Sequence, residues 1–119
     1  MSPNQNPQLN FDAQVALGKV SPQLAWLQLE SLVNQAIEVD YEHSQELAEE
    51  SNLPIDLTNL TEILAETNPV RGVNEFQYAN PKFDLKNIPK QKPLEALKAV
   101  LRMLTESDRY QAPKQAMQL

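Results

Sequence analysis

Apolar residues recur at helical spacing through most of this chain. No proline or glycine occurs between residues 23 and 53, where Trp26, Leu29, Val33, Ile37 and Tyr41 follow one another at intervals of three and four, with Ala36 beside them and Leu47 and Ala48 resuming the face. At 100° per residue these positions stay on one side of a helix. Ser21-Pro22 supplies its start, because a serine hydroxyl accepts a bond from a free amide and proline suits the first helical position. The pattern predicts one long helix over about 22–50, reaching about 43 Å at 1.5 Å per residue. Asp40 and Ser44 fall on the apolar stripe. They mark either a break near Val39 or polar contacts across an interface, and with no breaker residue present the continuous helix is favoured.

Leu53-Pro54 closes that element, since the residue before proline is pushed out of helical geometry. Asp56 or Thr58 caps a further helix carrying Leu57, Leu60, Ile63 and Leu64, which stops by Asn68-Pro69. Residues 69–92 are the least regular. Val73, Phe76 and Tyr78 alternate weakly, Asn80-Pro81 is a turn signal, and Phe83 and Leu85 follow. An irregular crossing segment is expected there, with a short hairpin over 73–85 as the alternative. Pro93 opens a last helix on the stripe Leu94, Leu97, Val100, Leu101 and Leu104. Residues 1–10 read as a flexible arm, Phe11, Val15 and Leu17 as a small helix, and residues 111–119 as a frayed tail. The expected fold is all-α: a bundle of three to four helices in a single domain over 11–110, with the helix from Pro22 as its spine.

Composition narrows the picture. A chain of 119 residues buries one core but hardly two, and an apolar fraction of 41% suffices for it. Nine prolines against two glycines favour helices joined by short corners. The absence of cysteine removes disulfides, thiolate metal sites and thiol nucleophiles together. The first residues carry neither a basic region nor an apolar run, so no signal peptide is expected, and no stretch approaches the roughly 18 apolar residues of a membrane span. A cytoplasmic protein is the expectation.

Charge is segregated along the chain. Residues 20–70 hold ten acidic residues and no lysine or arginine, whereas residues 71–119 hold nine basic against five acidic, within a net charge of −6. Folded together, the two segments can neutralise each other as exposed pairs, each worth little. Alternatively they form docking surfaces. Glu38, Glu42, Glu46 and Glu49 lie opposite the apolar stripe of a continuous helix, an acidic row that would steer a basic protein partner and repel phosphate. Lys82, Lys86, Lys90 and Lys92, with Phe76, Tyr78 and Phe83 nearby, offer the opposite: basic groups interleaved with aromatics track a phosphate backbone and stack bases. No nucleic-acid motif accompanies them.

Other chemistry is scarce. His43, the single histidine, stands near Asp40, Glu46 and Glu50, but bundle metal sites need Glu-x-x-His from two helices, so neither a metal nor another cofactor is expected. Gly18 and Gly72 alone cannot make a phosphate-cradling loop, and no serine has the Gly-x-Ser-x-Gly setting. Carboxylates on a solvated helix face lack an apolar pocket to shift their pKa values. Trp26 has a core reading, as a large ring at the start of the stripe, and an interface-anchor reading. Leu24, Leu27 and Val39 lie outside the stripe and broaden the apolar surface, as in a helix central to its bundle or shared with another chain. The expected function is a non-enzymatic protein–protein interaction module, an adaptor, chaperone-like subunit or inhibitor. It would dock through the acidic face or the leftover apolar surface, with homodimerisation as an accompaniment. The alternative is a nucleic-acid-binding accessory protein using residues 82–92.

Overall fold

A computed structural model describes residues 20–107. The arm over 1–10, the small helix around 11–17 and the tail over 111–119 lie outside the described residues. Within them run five α-helices: α1 (Pro22–Val39), α2 (Tyr41–Glu50), α3 (Leu57–Glu66), α4 (Pro69–Ala79) and α5 (Pro93–Glu106). A 3-10 segment, Leu85–Lys90, precedes α5. The all-α expectation holds, and no strand occurs among the described residues. The expected count of three to four helices does not hold, for two reasons.

The first is a break at Asp40. The expected helix over 22–50 is two helices, and a single residue with φ −139° and ψ 68° separates them. Asp40 closes α1 by donating its N–H to the Ala36 carbonyl at 2.9 Å. It opens α2 by accepting from the His43 N–H at 3.3 Å through its side chain. Ser44 reaches back across the break, its hydroxyl donating to the same Ala36 carbonyl at 3.1 Å from a fully buried position. The two polar residues that interrupt the stripe are therefore its terminators. Aspartate and serine side chains compete for backbone groups and so favour helix ends over helix interiors.

The second reason is a helix where an irregular crossing or a hairpin was expected. Asn68-Pro69 ends α3 and also starts α4: the Asn68 side chain accepts from the Arg71 N–H at 3.1 Å, and Pro69 occupies the first helical turn. Gly72, Val73, Phe76 and Ala79 form the buried face of α4. Their spacings of one, three and three are helical; the apparent alternation through Tyr78 followed an exposed residue.

α1 is the spine, packing on every other element. Its buried face of Ala25, Trp26, Leu29, Leu32, Val33 and Ala36 meets above all the broad apolar side of α5, which includes Leu97, Val100, Leu101 and Leu104. One continuous cluster gathers these with Leu57, Leu60 and Leu64 of α3, Phe76 of α4, and Leu85 and Ile88 of the 3-10 segment. Asn80 ties the end of α4 to α5 by donating to the Ala99 carbonyl at 2.8 Å.

The indole of Trp26 joins three helices. Its N–H donates to the Leu64 carbonyl of α3 at 2.9 Å. Its ring lies on Gly72 of α4, where a Cβ would stand 2.8 Å from two ring carbons. Glycine inside a helix costs roughly 1 kcal/mol relative to alanine, and here the close approach of the ring requires it.

Candidate functional site

The break at Asp40 divides the acidic row. Glu42, Glu46 and Glu49 keep the spacing of four and three that shares one face of α2, and all three are exposed. Glu38 is also exposed but belongs to α1. There it lines a shallow concavity with Leu27, Glu30, Ser31, Asn34 and Gln35. Four glutamates in one line was an expectation of the continuous helix; the structure puts three together and one apart.

Within that concavity, burial pushes the Glu30 carboxyl above its ordinary value. A carboxyl with a raised folded value contributes stability that is fully present below its unfolded value and lost as pH rises through the folded one.

Apolar side chains flank the break. Val39 is 78% exposed and Tyr41 55%. Sequence periodicity assigns Tyr41 to the stripe, but it begins α2 just past the break at Asp40 and is exposed. Leu24 and Leu27, off the stripe in the sequence, are likewise exposed on α1. Trp26 is only 2% exposed and its N–H is satisfied, so its ring fills core between α1, α3 and α4.

Ion pairing follows a simple rule. Those found among the described residues are local: Arg71 with Glu75 at 3.1 Å, Lys98 with Glu95 at 3.5 Å and, when the imidazole is protonated, His43 with Asp40 at 3.6 Å. None joins the acidic segment to the basic one, so mutual neutralisation by contact between the segments is not seen there. Glu42, Glu46 and Glu49 have no lysine or arginine partner among the described residues.

Lys82, Lys86, Lys90 and Lys92 are exposed too. They run through the turn after α4, the 3-10 segment and the residue before α5. Of the aromatics grouped with them, Phe76 is fully buried and makes an edge-to-face pair with Phe83, centroids 4.9 Å apart. Tyr78 alone stands free, 84% exposed in the last turn of α4.

No group of three or more metal-ligating side chains comes together among the described residues, and no described helix is long and apolar enough to cross a membrane. The exposed charge among the described residues includes the acidic face of α2, with exposed Tyr41 next to Glu42 in sequence, and four lysines spread over residues 82–92, which follow exposed Tyr78 along the chain. No family model matches the chain, and neither the curated proteins nor the solved structures include a match to it.

Proposed function

We propose that this chain is a non-enzymatic protein–protein interaction module, an adaptor, chaperone-like subunit or inhibitor, acting in the cytoplasm. It docks another protein bearing a basic surface through the acidic face of α2 and the apolar residues beside it, and self-association accompanies that role. The carrying observation is that Glu42, Glu46 and Glu49 share one exposed face with no cationic partner among the described residues. Such a row raises the association rate of a basic partner more than its affinity. Val39 and Tyr41 supply apolar area at its edge, and tyrosine is enriched where interfaces hold their binding energy. Glu38 adds charge from the end of α1.

Affinity capture from the cells that make the protein, run in parallel with the E42K/E46K/E49K variant, tests the reading. A partner retained by the wild type at low salt, released at high salt and missing from the variant supports it. Capture that is indifferent to the reversal sinks it.

Exposed Tyr78, followed in sequence by lysines with no ion-pair partner among the described residues, favours a second reading, nucleic-acid binding along residues 82–92. With Phe76 and Phe83 packed together, one ring remains for stacking. A salt-dependent shift of labelled single-stranded RNA that vanishes in K86E/K90E/K92E supports this reading. No shift at low salt ends it.

A further inference from the structure

We propose that the acidic row of α2 binds the lysine strip of a second copy of this chain. The inference deepens the reading of α2 as a docking face by naming an occupant for it. Two features point to a second copy. The patches are complementary in sign, Glu42, Glu46 and Glu49 against Lys82, Lys86, Lys90 and Lys92, and all seven side chains are exposed. An exposed tyrosine also lies close in sequence to each set, Tyr41 at 55% beside Glu42 and Tyr78 at 84% four residues before Lys82.

Complementarity inside one copy goes unused. Every ion pair found among the described residues links neighbours three or four apart, and none bridges the two patches. Contact between molecules would let each set of charges meet its opposite. Tyr41 then meets cationic side chains of the strip, a favourable pairing of ammonium with an aromatic face. Around a two-fold axis each copy gives its row and receives the other's, so every contact occurs twice.

Net charge sets the conditions. Two copies at −6 each repel at long range. At about 0.1 M salt the Debye length of about 10 Å screens that repulsion between molecular centres while leaving close patch contacts in force. At about 1 M it falls to about 3 Å and the patches are screened as well.

Sedimentation velocity on the purified full chain is the test. The mass exceeds that of the 13.5 kDa monomer at moderate salt, and the dissociation constant rises by about tenfold or more between the two salt concentrations. E42K/E46K/E49K alone and K82E/K86E/K90E/K92E alone stay monomeric. Mixed in equal amounts they associate with each other, because each reversed patch now faces its opposite. Circular dichroism verifies that both fold, and the milder E42Q/E46Q/E49Q variant, which weakens association without reversing charge, replaces a reversal that does not. Three results overturn the proposal: a wild type that is monomeric throughout, association that survives either reversal or is not weakened at high salt, or folded reversed chains that stay apart when mixed. Only one protein is present, so failure here leaves the capture of a foreign partner by α2 standing, and failure of that capture leaves this result untouched.

Discussion

Two corners of this molecule turn the chain between helices with almost no loop, by different means. At the α3–α4 corner, Thr67 and Asn68 are both extended and Pro69 follows. Proline disfavours helical geometry at the residue before it, so this corner is favoured by the covalent chain itself. Trp26 then pins it from outside, with its N–H on α3 and its ring on α4. At the α1–α2 corner, one residue departs from helical geometry and neither proline nor glycine is present. Its local fixings are small polar groups of the corner itself, Asp40 capping both ways and Ser44 bonding back to Ala36, beside the packing of α2 on α3 and α5. One corner is covalently favoured and buttressed, whereas the other is elective.

The buttress carries the largest expected effect. Trp26→Ala removes a buried ring and leaves a cavity between three helices, lowering the unfolding free energy by about 3–5 kcal/mol. Denaturant titration measures the loss. Amide exchange shows where it falls, with protection lost first around α3 and α4. A cost below about 1 kcal/mol would mean that the ring is not the pin. Next in size is Gly72→Ala, whose methyl would meet the indole at 2.8 Å. Overpacking of that kind costs about 1–3 kcal/mol, less the roughly 1 kcal/mol that alanine gains in a helix. The strain belongs to the pair, so the same substitution made in the Trp26→Ala background is harmless or stabilising. An equal cost in both backgrounds would separate Gly72 from Trp26.

The two corners also explain what could be read in advance. Helix α3 was legible because a capping residue and a breaker agree with the apolar period at its two ends, and α5 because Pro93 stands directly before a clean apolar stripe. Ser21-Pro22 was legible for the same reason. The α1–α2 corner was not, since periodicity carries across Asp40 and the competing signal is two short polar side chains whose partners are backbone groups. α4 was missed because Asn68-Pro69 was read only as a stop, although asparagine followed by proline is equally a start. At the surface, both charge patches were legible, because exposed charge needs no tertiary information. Tyr41 was not, for its exposure depends on the break. Nor was the local character of the ion pairing, which requires knowing where the segments lie in the folded chain.

The elective corner yields smaller effects and sharpens the contrast. Ser44→Ala removes a buried hydroxyl, but the Ala36 carbonyl keeps the Asp40 N–H and is not orphaned. The expected cost is therefore the net worth of one hydrogen bond, about 1 kcal/mol, read from the denaturation midpoint. Asp40→Ala costs less, about 0.5 kcal/mol and so at the low end for a cap, because its bond to the His43 amide is long and exposed. With both substitutions nothing local opposes the helical period, and NMR chemical shifts of residues 39–41 move toward helical values. Asn68→Ala is the matched control. It loses a comparable cap, yet Pro69 still disfavours the helical region at residue 68, so its shifts remain extended. If residues 39–41 stay non-helical in D40A/S44A, packing of α2 against α3 and α5 holds the first corner, and it too is buttressed from outside.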